Sequence, residues 1–195
     1  MTFLSTTVTQ VVFYVAFATW LAFTFLIEPV ITRSKSTKRA KTHEDKGSAL
    51  LIYLSVFVSI ITAFQFADAN ITPLPEWLFI VGIFLMLLGI FVREWAVTTL
   101  RGLFLFTVGV RQDHEVIENG PYRLVRHPAY SGSILTMVGL GLATQSAVAV
   151  LILAVVCGIA YGYRIHVEEP ALVRELGEEY SQYMNRTKRL IPFVF

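Results

Sequence analysis

The chain has 195 residues, of which 55% are hydrophobic and only 15% are charged, and its mean hydropathy is +0.62. Soluble globular domains carry about 25% charged residues. The composition therefore excludes an ordinary soluble domain, a disordered chain and a small disulfide scaffold. The net charge is only +2, and the single cysteine, Cys157, excludes an intrachain disulfide and is expected to be a packing residue.

Five apolar runs predict five membrane-spanning helices, because a span needs about 20 mostly apolar residues. The runs cover residues 11–31, 49–67, 77–92, 130–143 and 147–163. The last two lie in a stretch, 128–163, that has no Asp, Glu, Lys or Arg. The polar residues 144–146 divide that stretch, which predicts a tight helical hairpin. The predicted fold class is an all-α integral membrane protein of five transmembrane helices.

The basic residues predict how the chain crosses the membrane. All 16 of them fall in three segments, 33–46, 93–126 and 164–189. The positive-inside rule places these segments in the cytoplasm. The N-terminus is then outside and the C-terminus inside, as five spans require. Segment 33–46 is expected to orient the chain, with a patch for lipid headgroups as the alternative.

The first large polar segment ends in HEVIENGPYRLVRHPAYSG, which begins at His114. Pro128 disfavours helix at His127 and suits the first turn of the following helix. Free N–H groups at that helix start could receive an anionic group. Tyr122 and Tyr130 could offer flat faces to an aromatic or cationic ligand. The segment therefore indicates a ligand site at the cytoplasmic face.

The second polar segment follows the hairpin and begins RIHVEEPALVRELGEEY. Arg164 and Glu168 form an i, i+4 pair, and Glu168 and Glu169 precede Pro170, a favoured helix-start residue. The pattern after Pro170 predicts an amphipathic helix. Its apolar face would hold Leu172, Leu176, Tyr180 and Tyr183 or Met184.

The pattern of histidines and glycines excludes several common sites. His114 and His127 lack the spacing and the thiolates of a recognisable zinc motif, so no metal site is expected. The sequence has no Walker loop, no GxSxG and no GxGxxG.

Two motifs taken together resemble the isoprenylcysteine carboxyl methyltransferase family, whose wider group includes phospholipid methyltransferases and methanethiol S-methyltransferases. They are GPYRLVRHPAYSG before the uncharged hairpin and EEPALVRELGEEYSQYMNRTKRLIP after it. The resemblance covers about residues 93–192. Length and apolar content predict a single membrane domain over 1–195, in which 1–92 hold three spans. The resemblance implies that 93–195 form the methyltransferase core with the hairpin and a cytoplasmic C-terminal segment.

The resemblance implies S-adenosylmethionine as the cofactor, bound at the cytoplasmic side. Arg164 is similar to the family's substrate-side arginine and would position the acceptor. Glu168, or failing that Glu169, is similar to the family's cofactor-binding glutamate, whose carboxylate suits the cofactor's ammonium group. The other residues that match the cofactor motif are His114, Glu115, Val116, Ile117, Tyr122, His127, Pro128, Ala129 and Tyr130.

The resemblance implies carboxyl O-methylation of an isoprenylcysteine or a similar lipophilic acid. The expected partners are that acceptor and membrane lipid, with no nucleic acid and no metal. A carboxylate is already ionised at neutral pH, so its methylation needs no strong base. A phospholipid-headgroup amine or a small thiol is the alternative acceptor, and an amine would need a base such as Glu94 or His166. An NADPH-dependent enzyme similar to the sterol reductases and a non-enzymatic membrane protein also remain open.

Overall fold

The computed structural model describes residues 6–33, 47–69, 72–100 and 116–192, together with the backbone of 41–42 and 109–110. The helices and strands follow in chain order. They are α1 (Thr7–Ala22), a π-helical turn (Phe23–Ile27), α2 (Glu28–Arg33), β1 (Lys41–Thr42), α3 (Ser48–Ala69), α4 (Trp77–Thr99), β2 (Gly109–Val110), a 3-10 turn (Gly120–Arg123), α5 (Pro128–Ala143) and α6 (Ala147–Arg186). The two strands pair with each other in antiparallel fashion.

Apart from the two-residue strands β1 and β2, the described elements are helical, and they agree with the predicted fold class, an all-α integral membrane protein. Four helices are long and apolar enough to cross a membrane: the continuous helix Thr7–Thr32, then α3, α4 and α6. The fifth apolar helix, α5, has only 16 residues. Large apolar side chains such as Val8, Ile80 and Leu151 point outward, which suits contact with lipid.

The turn between α5 and α6 forms the predicted tight hairpin. Ser146 caps α6, since its side chain accepts a hydrogen bond from the N–H of Ala149. The link between α3 and α4 lies against this turn, because the N–H of Leu74 donates to the carbonyl of Gln145 at 2.8 Å. Both connections therefore lie at one end of the bundle.

Helices α4 and α5 touch through two pairs of glycines, Gly82 with Gly139 and Gly89 with Gly132. A Cβ added at Gly139 would lie 2.7 Å from the carbonyl oxygen of Gly82, and one at Gly132 would lie 2.7 Å from that of Gly89. Small residues allow helix backbones to approach this closely in membranes. These contacts fix where α5 begins, and therefore where the residues before it lie.

The bundle has a packed core toward the end that holds the turn between α5 and α6. Phe13, Leu140, Leu153 and Cys157 are fully buried there. The Cys157 sulfur lies 3.9 Å from the Ser59 hydroxyl, as expected for a packing residue.

The helix predicted to begin at Pro170 has a different start, and that part of the prediction is wrong. α6 continues through Pro170, and the departure from helical geometry comes at Gly177 (φ 63°, ψ −133°). Proline costs about 3 kcal/mol inside a helix. Here Ile165, Glu169 and Ala171 are buried while Pro170 is exposed, so packing maintains the helix through the proline.

The apolar face predicted for this region lies where the sequence placed it. Tyr180 and Tyr183 are buried, and Leu172 and Leu176 are half-buried. The charged residues between them point outward; they are Arg174, Glu175, Glu178 and Glu179.

Candidate functional site

The interhelical loop, residues 116–127, enters α5 as its sequence predicts. Gly120 has a φ of +59°, which glycine adopts without strain, and it opens the 3-10 turn. His127 is non-helical (φ −121°, ψ 58°), and Pro128 occupies the first turn of α5. The Gly-Pro and His-Pro steps therefore place the matching loop residues beside the start of α5.

Several residues predicted to bind the cofactor form one apolar cluster. Tyr122 and Ala129 pack on Ala96 of α4, and Ile117 lies against them. Burial raises the pKa of Tyr122 well above its usual range, so its phenol stays neutral. Val116 is half-buried beside Ile117 in the chain. His114 and Glu115 lie outside the residues that the structure describes.

A chain of hydrogen bonds joins α3, α5 and α6 around Tyr130. The Tyr130 hydroxyl donates to Glu168 Oε2 at 2.6 Å and accepts from Arg164 Nε at 3.1 Å. Arg164 also donates from Nη1 to the Ser48 hydroxyl at 2.8 Å. Arg164 is 1% exposed, whereas a quarter of the Glu168 side chain is exposed. The structure thus brings together Tyr130, Arg164 and Glu168.

Glu169 lies in a different environment from Glu168. Its Oε1 accepts from Arg126 Nε at 2.9 Å, and its Oε2 accepts from Arg189 Nη2 at 3.0 Å. Glu169 is 4% exposed and follows the apolar run of α6, which ends at Tyr163. Glu169 is therefore a carboxylate that already has cationic partners.

The His127 ring lies between this carboxylate and Tyr130. It stacks on the Tyr130 ring, with centroids 5.3 Å apart and planes 4° apart. Its Nε2 is 3.4 Å from Glu169 Oε1, but the alignment is too poor for a hydrogen bond, and among the described residues this buried nitrogen has no hydrogen-bond partner. A buried polar atom of this kind suits a ligand group.

The C-terminal segment, residues 187–190, lies along the interhelical loop. The N–H groups of Arg126 and His127 donate to the carbonyls of Lys188 (2.7 Å) and Arg189 (3.0 Å). The Ser131 hydroxyl donates to the carbonyl of Leu190 at 2.6 Å. The end of the chain is thus part of the framework that supports the start of α5.

A cavity of about 310 Å³ reaches this framework from within the bundle. Its apolar walls come from α1, the π-helical turn, α3 and α5. Its polar end holds Arg93, Arg164, Tyr130, Ser133 and Tyr161. Phe25 and Tyr53 also line it and are about half exposed (49% and 53%), so the cavity reaches the outer surface of the bundle between the π-helical turn and α3.

An ion pair beside the cavity was missed by the sequence analysis. Glu28 is fully buried, and its carboxylate accepts hydrogen bonds from Arg93 Nε (3.1 Å to Oε2) and Arg93 Nη2 (2.8 Å to Oε1). Arg93 Nη1 donates to the Ser133 hydroxyl at 2.7 Å. The two residues are 65 positions apart and each lies near the end of its own span, so sequence spacing gives no sign that they meet. In the part of the chain that the structure describes, no cluster of three potential metal ligands occurs.

These features define a class: a helical membrane protein whose polar site meets an apolar cavity that opens toward lipid. Residues 77–179 match the family model of the phospholipid methyltransferases. That match covers more than half of the chain, and the chain belongs to this family.

Individual relatives agree with the resemblance seen in the sequence. The chain is 29% identical to protein-S-isoprenylcysteine O-methyltransferase B of Arabidopsis thaliana, over 60% of this chain and 61% of that protein. It is 27% identical to the Saccharomyces cerevisiae protein-S-isoprenylcysteine O-methyltransferase, over 72% of this chain and 61% of that protein. The chain therefore spans about three fifths of the length of these relatives.

The fold is similar to a solved structure, the eukaryotic intramembrane Ras methyltransferase (isoprenylcysteine carboxyl methyltransferase). The TM-score is 0.71 at 19% identity, and the match covers 93% of this chain and 65% of that one. This similarity shows that the two chains share their fold.

Proposed function

We propose that this protein is an integral-membrane methyltransferase that transfers a methyl group from S-adenosylmethionine to the carboxylate of a lipophilic acid, such as an isoprenylcysteine. The observation that carries the proposal is the placement of Arg164 at the polar end of the cavity, beside Tyr130. Guanidinium groups bind carboxylates through paired, charge-assisted hydrogen bonds.

The depth of the cavity fits an apolar tail. Its lining runs from Trp20 to Pro29 along the first helix, which corresponds to roughly 13 Å at about 1.5 Å per residue. Beyond Trp20 the core is packed. Burial of an aliphatic tail stabilises binding by about 0.8 kcal/mol per methylene. An acceptor could enter from the bilayer between Phe25 and Tyr53.

The cofactor residues fit S-adenosylmethionine by the chemistry of their side chains. Glu168 is partly exposed and would take the cofactor's ammonium group. The buried Nε2 of His127 and the start of α5 would take polar groups of the methionine part. Ile117, Tyr122 and Ala129 would contact the adenine. His114, Glu115, Val116, Pro128 and Tyr130 complete the proposed set, with Glu169 left to its arginine partners.

The reaction needs positioning more than proton transfer. S-adenosylmethionine supplies a methyl carbon on a sulfonium, and displacement by a carboxylate oxygen forms the ester while the electron pair of the broken bond stays on sulfur. Arg164 would hold the ionised carboxylate in line, Tyr130 would fix Arg164, and Arg93 would stay paired with Glu28. Apolar walls would exclude water that competes for the methyl group. The residues 93–195 would hold this core, within one membrane domain.

The test is cofactor binding and methyl transfer by the detergent-purified protein. Calorimetry should show binding of S-adenosylmethionine and none of NADPH. Glu168→Gln should weaken binding, whereas Glu178→Gln, an exposed control on the same helix, should not. Tritiated methyl should pass to a prenylcysteine analogue but not to its carboxamide. Binding of NADPH alone would instead place the protein with the reductases.

We also propose that the active site faces the cytoplasm, with the N-terminus outside. The support is the charge distribution, since basic segments stay in the cytoplasm. Lys38→Cys should react with a membrane-impermeant maleimide only after cells are permeabilised. Glu76→Cys, in the opposite connection, should react without permeabilisation. The reverse pattern would invert the orientation.

A further inference from the structure

We propose that Glu169 is a positioning residue: it fixes the interhelical loop and the C-terminal segment on α6, and so shapes the cofactor site without touching the cofactor. The identity of the ligand rests on the function proposed above. The placement of Glu169 does not, since it is seen in the hydrogen bonds themselves.

The two carboxylate oxygens of Glu169 each hold a different part of the chain. Oε1 accepts from Arg126 of the interhelical loop, and Oε2 accepts from Arg189 of the C-terminal segment through both Nε (3.1 Å) and Nη2 (3.0 Å). The Arg126 and Glu169 side chains are 8% and 6% exposed. The Arg126–Glu169 pair, screened from water in this way, loses little strength to salt, whereas the Arg189 side chain is 42% exposed. Through these two pairs Glu169 joins the loop and the C-terminal segment to α6.

Arg126 also forms hydrogen bonds with residues of the C-terminal segment, so its position affects theirs. Its Nη1 donates to the carbonyls of Met184 and Thr187, and its N–H donates to Lys188. Directly after it comes His127, whose N–H donates to Arg189. Loss of the Glu169 charge would leave Arg126 buried without its carboxylate, and a buried charge without its partner is strongly destabilising. The loop would shift, and His127 with it.

The neighbouring glutamate has the opposite placement, which makes it a matched comparison. Successive residues of a helix point about 100° apart. Glu168 faces Tyr130 and Arg164, with a quarter of its side chain exposed, while Glu169 faces the loop. Glu168 is placed to meet a ligand and Glu169 to hold the frame around it.

The experiment compares Glu169→Gln, Glu168→Gln and Arg189→Gln in the full chain. The cofactor dissociation constant and trypsin cleavage after Lys188 are both measured, the latter without ligand. We expect Glu169→Gln to weaken cofactor binding about tenfold or more, as loss of a charged hydrogen bond implies, and to speed cleavage. Glu168→Gln should weaken binding and leave cleavage unchanged. Glu169→Asp keeps the charge, so its cofactor affinity and its cleavage rate should lie between those of the wild type and Glu169→Gln.

A double mutant separates positioning from a general loss of stability. Glu169→Gln combined with Arg189→Gln should weaken binding by less than the product of the single effects, because both remove the same contact. Unchanged cofactor affinity in folded Glu169→Gln would overturn the proposal. Weaker cofactor binding with unchanged trypsin cleavage after Lys188 would also overturn it, because that result indicates that Glu169 contacts the cofactor directly. If Glu169→Gln does not fold, Arg189→Gln and Glu169→Asp give the same comparison. A wild type that binds no S-adenosylmethionine would refute the proposed function, while the cleavage rates still test the placement.

Discussion

On one side, α5 meets α4 through Gly132 and Gly139, with the two backbones in contact. On the other side, Tyr130, Ser133 and Met137 line a cavity of about 310 Å³. The two faces lie on the same short helix, yet one excludes even a methyl group while the other leaves room for a ligand. The close-packed face fixes the positions of Arg93 and of the start of α5. The open face would then accept the proposed apolar tail without moving the polar groups.

The largest effect is expected from a change on the close-packed face. Gly132→Ala would place a Cβ 2.7 Å from the backbone nitrogen of Arg93, so α4 and α5 must separate and Arg93 must move. Overpacking of this kind costs about 1–3 kcal/mol, and most methyl transfer should be lost. Thermal unfolding in detergent and the transfer rate would measure both effects.

Gly158→Ala is the matched control, because a Cβ at Gly158 would meet nothing within 4 Å. It should keep or slightly raise stability, since alanine favours helix over glycine. Equal melting temperatures for the two variants would show that the α4–α5 contact is not tight.

The next effect concerns the polar end of the open face. Arg164→Met should raise the acceptor KM by about 10- to 100-fold, the range expected for a charge-assisted contact. The cofactor dissociation constant should change less, because Glu168 remains in place. Arg174→Met, exposed on the same helix, is the control. A larger change in cofactor affinity than in acceptor KM would assign Arg164 to the cofactor side.

A bulky side chain in the apolar wall should have a smaller effect. Ile52 lines the cavity, so Ile52→Trp should raise the acceptor KM about tenfold, as the loss of methylene-sized pocket space implies. The increase should grow with the length of the acceptor's tail. Leu54→Trp, on the outward face of α3, should be neutral. An effect independent of tail length would indicate that the tail lies elsewhere.

The smallest effect is expected at Cys157, which belongs to the packed core rather than to either face of α5. Cys157→Ser keeps nearly the same size and lies beside the Ser59 hydroxyl, so activity should change by less than about twofold. Alkylation of the wild-type protein should be equally harmless, because the thiol is buried. Abolished activity in Cys157→Ser would mean that the thiol takes part in the reaction.

Much of the local structure could be predicted from the sequence. The five apolar runs, the polar break at 144–146 and the helix start at Pro128 each depend on residues close together in the chain. Hydrophobicity, proline and glycine act over a few residues, and these predictions agree with the helices observed. The start predicted at Pro170 was wrong because packing of Ile165 and Glu169 outweighs the local preference of proline. The roles of the individual site residues stay predictions.

The sequence by itself therefore determined that this chain is a helical membrane protein with the motifs of the methyltransferase family, since composition and motif spacing are properties of short segments. Only the tertiary structure decided which groups meet. It paired Glu28 with Arg93 across 65 residues, placed the glycines of α4 and α5 face to face, and gave Glu168 and Glu169 different partners. Such contacts depend on how helices pack in three dimensions. The spacing of residues along one helix shows which of them share a face, but it does not show which residues of another helix they contact.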